Sequence, residues 1–185
     1  MAKEIERKYL LMEDGIDYST RLFKDTFISI EHIDKLIKTD GIDIVQGYLH
    51  LEDSARIFNR LQKLDLLKEK VDFKPTVLRL RKYGSKYLFT IKGPGKMERD
   101  EIEFPITKEL FDEWWPETAW KRIGKRRYVH PFGQLKLEID RFNHKPIIIM
   151  EIECHSIDEA NSLPEFGKDV TEDSRYANGR MATRA

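Results

Sequence analysis

The sequence predicts an α+β fold that is mainly β, in which antiparallel strands form a curved or closed sheet with helices packed outside it. Eight segments alternate polar and apolar residues with the period of two that is typical of strands. Short connectors that contain glycine or proline separate several of these segments, and short connections favour antiparallel neighbours. Apolar residues at helical spacing occupy the intervals, so helices are available to cover one face of the sheet.

The predicted strands follow one another along most of the chain. They cover 2–10, 43–51, 76–83, 86–93, 98–106, 119–129, 134–142 and 146–155. Four connectors have the composition of tight turns. These are Tyr83-Gly84-Ser85, Gly93-Pro94-Gly95, Pro131-Phe132-Gly133 and Asn143-His144-Lys145-Pro146. Because none of them is long, we expect each to join two neighbouring strands.

The predicted helices lie between these strands. The largest is expected over 54–72, where apolar residues recur at helical spacing. Shorter helices are expected after the capping residues Thr107 and Ser156, and a last one after Thr171. The stretch 11–42 is expected to hold one helix, near its residues 31–38.

Size and composition limit the classes of function. The chain has 185 residues with 33 Lys+Arg and 33 Asp+Glu, so it is expected to form a single domain over 1–185 with no net charge. Neutrality argues against a broad basic surface for nucleic acid or an anionic membrane. No apolar run has the length of a membrane span and no signal peptide opens the chain, so a cytoplasmic location is expected. A single cysteine, Cys154, excludes an internal disulfide and a thiolate zinc cluster.

Charged residues share one face of the predicted sheet. In six of the eight strands they form pairs two residues apart, often of the same sign, as in Glu4 with Glu6 and Arg79 with Arg81. An ordinary half-exposed sheet would also alternate, but like charges on one face repel unless something joins them. If the helices cover the apolar face, the charged face becomes a concave interior. Its residues are then Glu4, Glu6, Lys8, Arg79, Arg81, Lys92, Arg99, Glu101, Glu103, Lys125, Arg127, Glu138, Asp140, Glu151 and Glu153.

This mixture of acids and bases predicts the chemistry of a ligand. Carboxylates crowded into one cavity destabilise one another unless cations join them, and oxygen ligands without sulfur favour Mg²⁺ or Mn²⁺. With metal bound, the basic groups would exceed the remaining negative charge, which suits a small polyanion. A phosphate chain fits both features, because Arg and Lys bind its non-bridging oxygens while the metal bridges phosphate and carboxylate.

The segment Glu4-Ile5-Glu6-Arg7-Lys8 resembles the Glu-x-Glu-x-Lys signature of the CYTH superfamily, also called triphosphate tunnel metalloenzymes. Further matches follow in the order of that family and span nearly the whole chain. They are Gln46-Gly47-Tyr48-Leu49, Leu78-Arg79-Leu80-Arg81, Thr90-Ile91-Lys92-Gly93, Arg99-x-Glu101-x-Glu103, Lys125-Arg126-Arg127-Tyr128, Glu138-Ile139-Asp140, Glu151-Ile152-Glu153 and Val170-Thr171-Glu172-Asp173 through Tyr176 and Asn178. The resemblance implies a closed tunnel of eight antiparallel strands.

The resemblance also implies an activity and the residues that carry it. It implies metal-dependent hydrolysis of a triphosphate, inorganic tripolyphosphate before an organic one, with two Mg²⁺ or Mn²⁺ ions. The implied metal ligands are Glu4, Glu6, Glu138, Asp140, Glu151 and Glu153. The implied phosphate-binding residues are Lys8, Arg79, Arg81, Lys92, Lys125 and Arg127. Lys125 is expected to act in catalysis, and Glu103 is expected to orient the attacking water.

Two other functions use the same tunnel. A class IV-type adenylyl cyclase would make cyclic AMP from ATP, and a non-catalytic module would only bind polyphosphate. No set of residues demands an adenine pocket, and the retained acid pairs exceed what binding alone needs. The small polyanionic substrate is the expected partner, and a homodimer is as compatible with the sequence as a monomer. The stretches 11–42 and 52–74 are longer than the resemblance predicts, so helical insertions are expected there.

Overall fold

The computed structural model describes residues 2–184. Its strands are β1 (Ala2–Glu13), β2 (Ile16–Asp17), β3 (Ile42–Tyr48), β4 (Val77–Tyr83), β5 (Lys86–Lys92), β6 (Glu98–Pro105), β7 (Arg122–Phe132), β8 (Leu135–Phe142), β9 (Ile147–Glu153) and β10 (Lys168–Asp169). Its helices are α1 (Arg21–Phe27), α2 (Ile30–Asp40), α3 (Ser54–Lys63), α4 (Lys108–Trp114), α5 (Ile157–Ser162) and α6 (Asn178–Met181). Short 3₁₀ turns cover Leu51–Asp53, Trp115–Thr118 and Ser174–Tyr176.

Eight antiparallel strands close into a barrel. The pairing order is β1, β6, β5, β4, β3, β7, β8 and β9, and β9 pairs back with β1. Closure depends on β1, whose first residues pair with β6 while the residues from Glu6 onward pair with β9. The predicted closed barrel is therefore confirmed, and each predicted strand overlaps a barrel strand. The short strands β2 and β10 were not predicted, because two residues are too few to show a period.

The apolar face of the sheet points outward and is covered by helices, as predicted. One core joins β1, β8 and β9 to helices α1 and α2, with Tyr9, Ile139 and Met150 meeting Phe23 and Ile33. A second core joins β4, β5 and β6 to helices α3 and α4. The charged residues of the strands are thus left on the concave side.

A third apolar cluster closes part of the bore at one end. Leu10, Phe142 and Ile149 have the inward parity of the charged residues, yet they pack with Tyr176 and Met181 of the C-terminal segment. The phenol of Tyr176 donates a hydrogen bond to Glu13 at 2.7 Å and helps to tie this segment to β1. The interior is therefore charged over part of its length only, which the alternation of charges did not predict.

Two predicted helical regions differ from the structure. The helix expected over 54–72 ends at Lys63, because Asp65 adopts a left-handed φ of 55°. Leu67 is still buried in the second core, but the non-helical segment after Asp65 places it there. In the stretch 11–42, the structure has two helices instead of one, since Thr20 caps α1 before α2 begins.

The residue between α1 and α2 carries backbone strain. Ile28 has φ 68° and ψ −57°, a conformation that a β-branched residue rarely adopts, and its side chain is 73% exposed. Such strain destabilises the folded state by about 1–3 kcal/mol. Glycine removes the strain but lowers the stability by roughly 0.5–1 kcal/mol, because it loses more conformational entropy on folding. We therefore expect Ile28→Gly to raise the melting temperature by about 2–4 °C, which corresponds to roughly 1 kcal/mol for a chain of this length.

The matched control is Ile16→Gly, which alters another exposed isoleucine that lies in the ordinary strand β2. It should lower the melting temperature, because no strain is relieved there and the unfolded chain gains freedom. Thermal unfolding followed by circular dichroism measures both variants. A melting temperature of Ile28→Gly at or below that of the unsubstituted protein would contradict the strain argument.

Candidate active site

The inward faces of the barrel strands enclose a cavity of about 560 Å³. Ten basic and seven acidic side chains line it, so the positive charges outnumber the negative ones. The lining contains every side chain that the sequence analysis assigned to the site except Asp140. The side chain of Asp140 is fully buried against Lys125 and Arg127, which do line the cavity.

The register of β1 against β9 brings distant residues of the sequence together. Glu6 lies opposite Glu153, and Lys8 lies opposite Glu151. On the far side of β9, Glu151 also lies opposite Glu138 of β8. The acid pairs of three strands therefore meet at one wall of the cavity, with Lys8 Nζ 2.9 Å from a Glu151 carboxylate oxygen.

Asp140 anchors two basic side chains of the cavity. Arg127 donates from Nε to Oδ1 at 2.7 Å and from Nη2 to Oδ2 at 2.6 Å, and Lys125 Nζ lies 2.5 Å from Oδ2. Arg127 is also hydrogen-bonded to Glu138 and, at 2.7 Å, to Glu151. Burial alone would lower the pKa of Arg127, but Asp140, Glu138 and Glu151 raise it well above its ordinary value. Burial lowers the pKa of Lys125, although Asp140 and Glu151 oppose that effect.

Glu103 belongs to a second polar network. Its Oε2 accepts hydrogen bonds from Thr90 at 2.6 Å and from Arg79 at 3.2 Å. Burial would raise the pKa of Glu103, but Arg81 and Arg79 bring it below the ordinary value. Arg81 approaches Glu103 only to 3.7 Å, and its Nε is buried without a hydrogen bond among the residues that the structure describes. The other guanidinium donors of Arg81 also have no hydrogen-bond partner in the described part of the chain, and Arg81 lines the cavity, so an anion there can accept from them.

Glu4 is held by two bases on neighbouring strands. Lys92 Nζ lies 2.8 Å from both carboxylate oxygens, and Arg99 Nε donates at 2.6 Å. Burial alone would raise the pKa of Glu4, but Lys92 and Arg99 lower it far below the ordinary range. Lys92 also lies 2.6 Å from Glu101, so it joins the acids of β1 and β6.

Two other carboxylates have raised pKa values, although Lys8 Nζ lies 3.3 Å from Glu6. Burial raises the pKa of Glu6, and the carboxylates of Glu151 and Glu4 raise it further. Burial likewise raises the pKa of Glu153, and Glu4 and Glu101 add to that effect. Within residues 2–184 no three acidic, histidine or cysteine side chains already converge as a formed metal site. The donor type and the excess negative charge at Glu6 and Glu153 nevertheless fit a hard divalent cation.

Some cavity residues were not found from the sequence. Lys86, Lys121 and Arg180 line the cavity from a hairpin, from the residue before β7 and from α6, respectively. Lys86 and Lys121 lie in the predicted strands 86–93 and 119–129 and have the parity of Lys92 and Lys125, so the alternation could have identified them. Arg180 lies in the C-terminal segment, where no strand alternation applies. Asn178 was present only in the motif match, and its Oδ1 lies 3.4 Å from Lys125 Nζ.

Comparison with known proteins agrees with the observed fold. No family model matches the chain. An inorganic triphosphatase from Nitrosomonas europaea is 40% identical over an alignment of 112 residues, and the alignment covers 57% of this chain and 74% of that protein. The crystal structure of the inorganic triphosphatase NE1496 is 26% identical, with a TM-score of 0.51 over 98% of this chain and 95% of that chain. Among the helices of residues 2–184, none has the length and apolar character needed to cross a membrane.

Proposed function

This chain belongs to the CYTH superfamily of triphosphate tunnel metalloenzymes, and on that premise we propose that it hydrolyses the terminal phosphoanhydride bond of inorganic tripolyphosphate. The observation that carries the proposal is the cavity, where ten basic side chains outnumber seven acidic ones inside a closed barrel. Such an interior suits a small polyanion better than a neutral ligand. The substrate of the 40% identical relative agrees with this choice.

Phosphate binding is assigned to the basic side chains of four strands. Arg81 has guanidinium donors to spare, since within residues 2–184 its one ion pair is the 3.7 Å approach to Glu103. Guanidinium forks bind phosphate oxygens in pairs, whereas a lysine acts as a point charge. The full proposed set is Lys8, Arg79, Arg81, Lys92, Lys125 and Arg127.

Two divalent metal ions, Mg²⁺ or Mn²⁺, are proposed to bind the carboxylates of β1, β8 and β9. The proposed ligands that line the cavity are Glu4, Glu6, Glu138, Glu151 and Glu153. Asp140, which the sequence analysis also named, is buried and binds Lys125 and Arg127 with both oxygens, so it is proposed to position these two bases. The raised pKa values of Glu6 and Glu153 support this assignment, because they reflect negative charge that a cation would neutralise. When bound, the metal supplies charge neutralisation and an activated water.

The chemical step places new negative charge near Lys125. The oxygen of water bonds to the terminal phosphorus, and the bond from that phosphorus to the bridging oxygen breaks. Phosphate and pyrophosphate leave, and the protons of the water go to these products or to solvent. Lys125 is proposed to stabilise the charge that develops in this step, with Asp140 holding its ammonium in place. Glu103 is proposed to orient the attacking water. Its lowered pKa and its bond to Arg79 favour a positioning role over proton abstraction.

The proposal predicts products that can be measured directly. With tripolyphosphate and Mg²⁺, we expect equal amounts of phosphate and pyrophosphate, and we expect turnover to stop when EDTA removes the metal and to return when Mg²⁺ or Mn²⁺ is added. Ion chromatography separates the two products. The same assay with ATP and thiamine triphosphate provides the comparison. Formation of cyclic AMP would favour the cyclase, and binding of tripolyphosphate without turnover would favour the non-catalytic module.

A further inference from the structure

Three basic side chains of the cavity have no acidic partner among residues 2–184. The other seven each lie within 4 Å of a carboxylate, the longest of these contacts being the 3.7 Å between Arg81 and Glu103. The three exceptions are Lys86, Lys121 and Arg180. Lys86 stands alone at the β4–β5 hairpin, whereas Lys121 and Arg180 lie together toward the other end, beside α6.

Two aromatic rings lie close to the ammonium of Lys121, and a glycine leaves space beside it. Its Nζ lies 5.3 Å from the ring centroids of both Tyr48 and Trp120. The ring of Trp120 stacks on His50, with 4.3 Å between centroids and 15° between planes. A Cβ added to Gly179 would lie 3.7 Å from Lys121 Nζ and 3.5 Å from the Tyr48 ring. The absence of a side chain at Gly179 therefore leaves space beside the ammonium.

Lys121 and Arg180 have no neighbouring carboxylate in the described part of the chain that would neutralise their charge. Burial lowers the pKa of Lys121, and the charge of Arg180 lowers it further. Two like charges that line the same cavity repel, and an anion that contacts both would offset that repulsion. Because the described part of the chain supplies no carboxylate here, a bound anionic ligand would neutralise these two cations.

The position of the pair indicates how long that ligand is. Lys121 precedes Lys125 by four residues, which spans roughly 13 Å of extended backbone. Asn178 lies between these regions, with its Oδ1 3.4 Å from Lys125 Nζ, and it lines the same cavity. A cavity of about 560 Å³ is within the range that holds ligands of drug size. A ligand that reaches both lysines must therefore be extended.

We propose that Lys121 and Arg180 form a second anion subsite that binds the distal phosphates of linear polyphosphates longer than tripolyphosphate. The inference rests on the proposed function, since it extends the same cavity. An inorganic chain is favoured over the base of an organic triphosphate. The exposed ring of Trp120 already stacks on His50 and has Lys121 Nζ over it. A charge-assisted contact to phosphate contributes about a tenfold gain in affinity or more.

The test compares the binding of two phosphate chains by isothermal titration calorimetry in the presence of EDTA. The proteins are the unsubstituted chain, Lys121→Gln, Arg180→Gln and the double variant, and the ligands are tripolyphosphate and a long linear polyphosphate. We expect each substitution to weaken binding of the long chain about tenfold, with a much smaller effect on tripolyphosphate. Lys86→Gln is the matched control, because it removes an unpaired charge at the other end of the same cavity and should weaken both ligands by one common factor.

Equal weakening of both ligands in the double variant, or no weakening of either, would overturn the subsite. Selective loss of ATP binding in the same variants, with long-chain binding retained, would also overturn it in favour of an organic substrate. Since these titrations need no turnover, a protein that fails to hydrolyse tripolyphosphate still reports on the subsite. Failure of the proposed function and failure of the subsite are therefore distinguishable.

Discussion

Lys125→Met is expected to lower kcat for tripolyphosphate by about 10²–10³, the usual cost of removing one group that stabilises transition-state charge. Lys125 is 2% exposed at its side chain, lines the cavity and lies 2.5 Å from Asp140. Methionine keeps the length and the apolar stem but removes the charge. KM should change much less than kcat, because the charge acts mainly on the developing transition state. Initial rates of phosphate release over a range of substrate concentrations give both constants.

The fold should survive this substitution. Asp140 keeps its two hydrogen bonds from Arg127, at 2.7 and 2.6 Å, so its buried carboxylate is not left unpaired. Lys82→Met is the matched control, because Lys82 lies on β4 with its side chain exposed and outside the cavity. The control should retain the unsubstituted kcat. A Lys125→Met effect that is confined to KM would argue against a role in the chemical step.

Glu6→Gln is expected to abolish most metal-dependent turnover while making the metal-free protein more stable. Loss of a residue that only hydrogen-bonds a metal ligand lowers metal affinity or activity about 10–100-fold. Glu6 is proposed as a direct ligand, so its loss should cost at least as much. A purely structural carboxylate would behave in the opposite way, because its removal would lower stability. Turnover at saturating Mg²⁺ and thermal unfolding in EDTA separate the two roles.

The gain in stability follows from the raised pKa of Glu6. Burial and the carboxylates of Glu151 and Glu4 raise this pKa above the ordinary 4.5 in the folded protein. Between 4.5 and the raised value the folded state binds more protons, so stability falls as the pH rises through that window. Glutamine does not ionise, so the Glu6→Gln variant avoids this decrease in stability. Its melting temperature should therefore be higher than that of the unsubstituted protein at neutral pH.

Glu98→Gln is the control for Glu6→Gln, since Glu98 lies on the outer side of β6 and pairs with Lys3 at 3.5 Å. Both its turnover and its melting temperature should stay close to those of the unsubstituted protein. Full turnover in Glu6→Gln would remove Glu6 from the proposed metal ligands. A lower melting temperature for Glu6→Gln in EDTA would show that Glu6 is stabilising and contradict its raised pKa.

Local alternation in the sequence was sufficient to place the strands and the faces of their side chains. Glu4 and Glu6 share a face because successive side chains of a strand point to opposite sides, and this holds whatever the strand pairs with. The same parity placed Arg79, Arg81 and Lys125 inside, where the structure has them. Helix caps such as Thr107 were equally readable, since a cap involves only neighbours within one turn.

Tertiary structure alone decided how these faces meet. Which acid pairs with which base depends on closure of β9 onto β1, a contact between residues about 140 positions apart. The same holds for the apolar end of the bore, where Leu10 and Ile149 meet Tyr176, and for Lys121 and Arg180, which the C-terminal segment brings together. Side-chain periodicity is a property of one strand, whereas the shape and charge of a cavity depend on long-range packing that no single segment encodes.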